Sequence, residues 1–273
     1  MMVKLIVSDM DGTLVNDEKK IDENIYALLP KLKEKGIRFV VASGRQYPSL
    51  CKDFQEHVKD VVLCSENGAF IMDNGKELYA KCMTKEQVKL SLDAAFAVEG
   101  MEPVVCAKHV TYTRSPEMKE FLESPKFNYK MSMTDDLYNI EDDIIKISMI
   151  VLNGEDTVAM FRKVRAALDE SLNLVTSGEG CMDTGIYGVN KGTAVEVLQE
   201  MWGIAPEETM VFGDQYNDVD MFDRAHYSFA MAGAVEGVKK KARYQAGSNN
   251  EGGVVKEIEK FIGIKSPRRR EEL

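Results

Sequence analysis

The sequence predicts an α/β protein in which a doubly wound, Rossmann-like parallel sheet carries an inserted α+β domain. The first and last thirds of the chain alternate short apolar runs with amphipathic helices, a pattern typical of parallel strands joined by crossover helices. The middle third instead places two short strands after each main helix, which indicates a separate layer. The 273 residues, 44% of them hydrophobic, suffice for one large domain or two smaller ones.

The first third begins with a strand at Val3–Val7, followed by a helix that Asp22 is placed to cap. The apolar positions of this helix follow the spacing i, i+3, i+4 and i+7: Ile25, Leu28, Leu29 and Leu32. Further strands are predicted at Ile37–Ala42 and Val61–Cys64. The turn signals Asn67-Gly68 and Asp73-Asn74-Gly75 predict a hairpin around Ala69–Met72.

In the middle third, apolar spacing predicts helices at Thr84–Val98, Glu117–Leu122 and Val158–Leu168. Strands are predicted at Val104–Val105, Val110–Tyr112, Ile144–Leu152, Leu172–Thr176 and Thr184–Tyr187. We therefore expect a discontinuous core domain formed by residues 1–83 and 188–265, with an α+β domain at 84–187 inserted into it. The last residues, 266–273, are expected to be a disordered, solvated tail.

The last third returns to the alternation of the first. Its predicted helices are Lys191–Trp202, Asp218–Ala225, Val235–Arg243 and Val254–Ile262. Its predicted strands are Thr209–Phe212 and Tyr227–Met231. These elements complete the parallel sheet that the first third begins.

Charge and cysteine content exclude several classes of protein. The 45 acidic and 35 basic residues give a net charge of −10 at pH 7, which argues against a broad surface for nucleic acid or an anionic membrane. Five cysteines without a C-x-x-C pair argue against a zinc knuckle and suit a reducing cytosol. The longest apolar run, Ala94–Val98, is far too short for a membrane span. We expect a soluble, cytoplasmic protein without nucleic-acid or membrane partners.

Two carboxylates, Asp9 and Asp11, follow the first predicted strand within the segment Ser8-Asp9-Met10-Asp11-Gly12-Thr13. In an open α/β sheet, ligands bind at the carboxyl ends of the strands. Two acids so close repel each other unless a cation neutralises them. The pair therefore suits either Mg²⁺ with a phosphate, or a nucleophile beside a general acid.

Three more polar segments follow later strands of the same predicted sheet or open a helix at its mouth. Ser43-Gly44-Arg45 offers a hydroxyl and a glycine N–H for an anion. Lys191, at the start of a predicted helix, could neutralise phosphate oxygens. Asp214 and Asp218 are spaced so that one helical turn directs both towards one point. Together these groups suit Mg²⁺-assisted phosphoryl transfer through an aspartyl phosphate.

The four segments resemble, in order, the motifs of the haloacid dehalogenase (HAD) superfamily. The insertion at 84–187 resembles the α+β cap of its class IIB, Cof-type phosphatases, and Ser65–Ala69 and Asn249–Val254 resemble segments of that branch. Ser43 stands where Thr is frequent, which keeps the hydroxyl. Met231-Ala232-Gly233-Ala234 stands where Met-Gly-Asn-Ala is frequent, so any contact of an Asn there is missing.

The resemblance implies a role for each motif residue. Asp9 would attack phosphorus and bind Mg²⁺, and Asp11 would act as acid and then base while its main-chain carbonyl binds Mg²⁺. Asp214 would bind Mg²⁺ directly, and Asp218 would support it through water. Thr13 would brace the loop around Asp9. Phosphate oxygens would be held by the Met10 N–H, Ser43, Gly44, Lys191 and Asn217.

By the same resemblance, the substrate is a small phosphorylated metabolite, with sugar phosphates expected first and phosphorylated cofactors second. Candidate residues for reading the leaving group are Arg45, Glu179, Cys181 and Asp183. A phosphomutase and a non-enzymatic phosphoreceiver module remain alternatives, although receivers are about half this length. The expected oligomeric state is a monomer or a weak homodimer.

Overall fold

A computed structural model describes residues 2–125, 127–151, 156–176 and 180–263. The chain divides into two compact units, one of which comprises residues 1–43, 53–78 and 190 onward. The second unit comprises 44–52 and 79–189. The inserted domain expected at 84–187 omits residues 44–52, which the structure groups with the second unit. Its assignment as a cap stays a prediction, and the tail expected at 266–273 lies outside the described residues.

The first unit begins with parallel strands joined by helices. Asp22 caps the first helix by accepting the Asn24 N–H, and the four predicted apolar positions of that helix are buried. From residue 5 to residue 80 the elements are β1 Leu5–Asp9, α1 Glu23–Glu34, β2 Arg38–Ala42, α2 Tyr47–Phe54, β3 Val62–Ser65, β4 Phe70–Asp73 and β5 Lys76–Ala80. Most of α2 belongs to the segment 44–52 of the second unit, and β5 extends past residue 78, where the first unit is divided from the second. All five residues of β1 are buried, as expected for a strand covered on both faces.

The second unit contains a mainly antiparallel sheet of six strands. Its elements are α3 Lys85–Phe96, β6 Met101–Ala107, β7 Thr111–Thr113, α4 Pro116–Glu123, β8 Met131–Met133, β9 Ile144–Val151, α5 Thr157–Ala167, β10 Leu172–Thr176 and β11 Cys181–Ile186. The strand order is β10-β11-β9-β6-β7-β8, and only β7 and β8 pair in parallel.

The two faces of this smaller sheet differ because side chains alternate along each strand. On β6, Val105 packs in the larger apolar cluster with residues of α3 and α5. Its neighbours Val104 and Cys106 belong to a smaller cluster that includes Met118 of α4. The face towards α4 is therefore apolar over only part of its area, and it also carries the buried Lys146 of β9.

The chain then returns to the first unit. Its remaining elements are α6 Lys191–Trp202, β12 Thr209–Gly213, α7 Val219–Phe222, β13 Tyr227–Ala230, α8 Glu236–Lys239, β14 Tyr244–Gln245 and α9 Gly253–Ile262. The sheet order is β14-β13-β12-β1-β2-β3-β4-β5, parallel from β14 to β3. Strand order reverses between β1 and β12, which creates the switch point where such sheets bind ligands.

The predicted fold class is confirmed, and the helix at Lys191–Trp202 has the predicted bounds. The helix predicted at Thr84–Val98 spans Lys85–Phe96, and two helices of the first unit were predicted at about twice their length. The helix expected at Asp218–Ala225 spans only Val219–Phe222, since Asp218 belongs to the preceding 3₁₀ turn. The helix expected at Val235–Arg243 spans only Glu236–Lys239. Among the described residues, no helix is long and apolar enough to cross a membrane.

Candidate active site

The register of the parallel strands brings three of the four motifs to one edge of the sheet. Asp9 ends β1 and lies beside Ala42, the last residue of β2, so Ser43 begins the adjacent loop. On the other side, Ser8 pairs with Phe212 of β12, so the Asp214 that follows this strand lies near Asp9. The motifs therefore meet at the switch point that the strand order creates.

The fourth motif supplies a lysine among the carboxylates. Asn190 caps α6, so Lys191 is the first residue of that helix, and its side chain is only 1% exposed. Its Nζ donates to Asp9 Oδ1 and, at 2.7 Å, to Asp218 Oδ1. Carboxylate oxygens of Asp9, Asp214 and Asp218 lie within 4.8 Å of one another. One ammonium group therefore contacts two of the three clustered carboxylates.

This unequal charge alters the ionisation of the site. Burial raises the pKa of Asp9 well above its ordinary value, the Asp218 charge raises it further, and Lys191 opposes both. Burial and Asp218 also raise the pKa of Asp214. Burial would lower the pKa of Lys191, but the carboxylates of Asp218 and Asp9 outweigh it and raise that pKa. The site thus holds more negative charge than its lysine neutralises, and its oxygen donors suit a hard divalent cation such as Mg²⁺.

Asp214 is held by neutral donors on both carboxylate oxygens. Thr13 Oγ1 donates to Oδ1 at 3.0 Å, and Gln215 Nε2 donates to Oδ2 at 3.1 Å. Gly12 approaches the same carboxylate with φ +79°, and a Cβ there would lie 2.5 Å from Oδ2. The glycine is needed both for its backbone conformation and for this close approach. Thr13, expected to brace the loop around Asp9, donates its hydroxyl to Asp214 and its N–H to the Met10 carbonyl at 3.4 Å.

Asp218 has protein donors on both oxygens. Its Oδ2 accepts the backbone N–H groups of Asp214 at 2.9 Å and Gln215 at 3.0 Å, while Oδ1 accepts Lys191. The carboxylate therefore fixes the turn after β12 and orients the lysine. This arrangement agrees better with a supporting role than with direct binding of a metal.

Asp11 lies in a different environment from Asp9. Its side chain is 41% exposed, and Lys19 Nζ donates to its Oδ1 at 2.9 Å. Met10, the residue between them, is buried, and its carbonyl accepts the Leu14 N–H. Asp9 is therefore buried and Asp11 is accessible, although they are only two residues apart. This difference suits a nucleophile beside a proton donor.

Asn217 is linked to the loop after β2 through Asn67, which the sequence indicated as a turn residue within the Ser65–Ala69 segment. Asn217 Nδ2 donates to Asn67 Oδ1 at 3.2 Å, and the Asn67 N–H donates to the Ser43 carbonyl at 2.9 Å. Asn67 adopts φ +55°, a left-handed conformation that Asn tolerates better than most residues. The Asn67-Gly68 pair was the available signal, but it could not indicate this partner.

The candidate substrate-reading residues have different surroundings. Asp183 is buried and accepts Lys146 Nζ at 3.0 Å and Ser148 Oγ at 2.7 Å, so its carboxylate is already engaged. Cys181 and Arg45 are half-buried. Glu179 lies outside the described residues. Gly44 belongs to the second unit, where its carbonyl accepts Lys146 Nζ at 3.2 Å.

A profile of the haloacid dehalogenase-like hydrolase family matches residues 6–258. The chain belongs to this family. Among its relatives is a 5-amino-6-(5-phospho-D-ribitylamino)uracil phosphatase of Escherichia coli (strain K12), 33% identical over 98% of this chain and 99% of its own length. A phosphatase of Bacillus subtilis (strain 168) with the same substrate name is 27% identical over 95% of this chain and 96% of its own.

Solved structures agree with the family assignment. A protein from Streptococcus mutans UA159 superimposes on this haloacid dehalogenase-like hydrolase with a TM-score of 0.85 and 27% identity, covering 96% of this chain and 100% of its own. A subclass IIB sugar phosphatase has a TM-score of 0.78 and 22% identity, covering 96% and 100%, and so resembles it in fold. The predictions of a phosphatase of this superfamily and of its fold are confirmed.

Proposed function

We propose that this haloacid dehalogenase-like phosphatase hydrolyses small phosphomonoesters, with Mg²⁺ as cofactor, through a phosphoryl group carried by Asp9. The observation that supports this most strongly is the buried Asp9 carboxylate, which contacts Lys191 and lies within 4.8 Å of two further carboxylates. An accessible acid, Asp11, follows two residues later. A buried nucleophile, a fixed cation and a nearby proton donor are what phosphoryl transfer through a carboxylate requires.

In the first step, Asp9 attacks phosphorus, and the bond between phosphorus and the ester oxygen breaks. Asp11, in its protonated form, gives its proton to the leaving oxygen, which departs as an alcohol. In the second step, Asp11 takes a proton from a water molecule, and the water oxygen attacks phosphorus. The acyl phosphate bond breaks, which returns Asp9 as a carboxylate and releases inorganic phosphate.

The Asp9 and Asp214 carboxylates and the Asp11 main-chain carbonyl are the proposed Mg²⁺ ligands, with Asp218 acting through water. Burial, and after it the Asp218 charge, raises the pKa values of Asp9 and Asp214, and a bound cation would favour the ionised carboxylates against both effects, which supports this assignment. When bound, Mg²⁺ offsets the negative charge of the carboxylates and the phosphate. Lys191 would neutralise phosphate oxygens, and further oxygens would be bound by the Met10 N–H, Ser43, Gly44 and Asn217.

Removal of the metal gives a direct prediction. Excess EDTA is expected to abolish hydrolysis of p-nitrophenyl phosphate, and added Mg²⁺ to restore it, because the carboxylates then lack a counter-charge. Ca²⁺ is not expected to restore it, since it takes more ligands at longer distances than the octahedral site that Mg²⁺ demands. EDTA saturated with Mg²⁺ beforehand is the control. Full activity in excess EDTA would contradict the proposed cofactor.

For the substrate, we propose a phosphate ester of a short polyol or sugar chain joined to a ring. Three relatives carry the name of a phosphoribitylamino-uracil phosphatase, at 33%, 27% and 22% identity. These names favour 5-amino-6-(5-phospho-D-ribitylamino)uracil as the first compound to test, ahead of simple sugar phosphates. The sugar phosphatase at 22% identity supports only the fold.

The experiment is a panel of phosphorylated metabolites ranked by kcat/KM in the presence of Mg²⁺. The proposal expects steady release of inorganic phosphate, with the ribitylamino-uracil ester preferred over hexose phosphates. An isomeric ester as the single-turnover product would instead indicate a phosphomutase. The receiver alternative loses its support, because the hydrolase profile spans residues 6–258.

The leaving group is proposed to be bound by residues of the second unit, Arg45 among them. Arg45→Ala, Cys181→Ala and Glu179→Ala should each lower kcat/KM for the best metabolite more than for p-nitrophenyl phosphate, if that side chain binds the leaving group. Asp183→Ala should instead lower both together, because its carboxylate is engaged by Lys146 and Ser148. If every variant lowers kcat/KM equally for the best metabolite and for p-nitrophenyl phosphate, other residues bind the leaving group.

A further inference from the structure

A row of buried polar side chains lies on one face of the smaller sheet, towards α4. Lys146 and Ser148 are two apart on β9, and Asp183 of β11 pairs directly with Ser148. The Lys146 and Asp183 side chains are only 7% and 6% exposed. A buried ion pair is costly unless further hydrogen bonds satisfy both groups. Here Asp183 accepts Lys146 on Oδ2 and Ser148 on Oδ1, so both of its carboxylate oxygens have a donor.

Lys146 directs a further hydrogen bond to the Ser43-Gly44-Arg45 loop, because its Nζ also donates to the Gly44 carbonyl at 3.2 Å. Two residues later, the fully buried Gln46 is fixed as well. Its Nε2 donates to Thr111 Oγ1 at 3.0 Å, and its Oε1 accepts the Lys130 N–H at 2.9 Å. The main chain is thus anchored on both sides of Arg45 by residues of the second unit.

The direction of the loop N–H groups follows from peptide geometry. In a trans peptide the C=O and the N–H of the next residue point in opposite directions. A hydrogen bond that fixes the direction of the carbonyl therefore also fixes the direction of that N–H. The Ser43 carbonyl accepts the Asn67 N–H, which sets the direction of the Gly44 N–H. The Gly44 carbonyl accepts Lys146, which sets the direction of the Arg45 N–H. Two separate hydrogen bonds therefore orient two consecutive donors.

We propose that Lys146 is a positioning residue for phosphate binding, acting through the peptide between Gly44 and Arg45. The buried ion pair with Asp183 holds the Lys146 ammonium group beside this contact. Without the ammonium group, the Gly44–Arg45 peptide can rotate about Gly44, and the loop that carries the Ser43 hydroxyl and the Gly44 N–H loses one of its fixed points. This inference rests on the proposed function in one respect, since it takes Ser43-Gly44-Arg45 as a phosphate-binding loop.

The test compares Lys146→Met with Ser148→Ala, by calorimetry of inorganic phosphate binding with Mg²⁺ present. Lys146→Met removes the contact with Gly44 and should weaken phosphate binding by ~10-fold, the effect of losing one charge-assisted hydrogen bond. Ser148→Ala removes a bond to Asp183 but leaves the contact with Gly44, so binding should change by less than about 2-fold. Lys146→Arg keeps a charged donor and should recover part of the affinity.

Lys146→Met leaves the Asp183 carboxylate buried without its cation, which can prevent folding. The double variant Lys146→Met/Asp183→Asn removes that charge, so its melting temperature should recover while phosphate binding stays weak. Wild-type affinity in either variant, or an equal loss in Ser148→Ala, would overturn the inference. A wild-type protein that binds no phosphate would overturn it too. One that binds phosphate but releases none from any ester contradicts the proposed function alone.

Discussion

Asp9→Asn is expected to lower kcat for p-nitrophenyl phosphate by ~10³-fold or more, because an amide is a poor nucleophile. The substitution also removes one negative charge from the group formed by Asp9, Asp214 and Asp218. Since burial and the Asp218 charge already raise the pKa of Asp9, the neutral amide should fold at least as stably as the carboxylate. Loss of activity should therefore occur without loss of the melting transition.

The matched control is Asp223→Asn, the same chemical change at an exposed aspartate after α7. Its kcat should equal that of the wild type. Fluoroberyllate, which mimics an aspartyl phosphate, should inhibit the wild type with Mg²⁺ present and fail to bind Asp9→Asn. Near-normal turnover by a clean Asp9→Asn preparation would refute the assignment of the nucleophile.

Lys191→Met should have the second large effect. It should lower kcat/KM by ~10²-fold or more, because the phosphate loses the fixed positive charge that neutralises it. It should also lower stability, because Asp9 and Asp218 lose their shared buried cation. Breaking a buried pair by removing one partner costs about 3–5 kcal/mol. Both effects come from the same side chain, so kcat/KM and the free energy of unfolding should fall together.

Lys4→Met is the control for this variant. Lys4 pairs with Glu208 at 2.7 Å, but its side chain is 47% exposed, so the loss in unfolding free energy should be within ~1 kcal/mol. The kcat/KM of this control should stay at the wild-type value. A Lys191→Met protein with wild-type kcat/KM would mean that another group neutralises the phosphate.

The sequence predicted the positions of the four motifs because strand ends can be recognised locally. Alternating strands and helices implied a parallel sheet, and the carboxyl ends of parallel strands share one edge. Asp9 and Asp214 could therefore be expected to converge. The helix that begins at Lys191 could also be predicted from the sequence. The burial of the Lys191 side chain, which is only 1% exposed, could not, since an isolated lysine is usually on the surface.

The remaining contacts join residues far apart in sequence whose local surroundings give no signal. Thr13 and Asp214 are separated by 201 residues, and Lys146 and Gly44 by 102. A lysine within the apolar strand β9 indicates burial or an edge, but not its partner. The strands β8 and β14 were missed because runs of three and two residues are too short to show alternation.

The most direct test of the central claim is the site of phosphorylation during turnover. The protein is mixed with p-nitrophenyl phosphate and Mg²⁺, quenched in acid, and mapped by peptide mass spectrometry, with Asp11→Asn used to slow hydrolysis of the intermediate. The account predicts one phosphoryl group on Asp9 that forms and decays at the rate of turnover. Steady turnover with no phosphoryl group on Asp9, or with one on another residue, would contradict it.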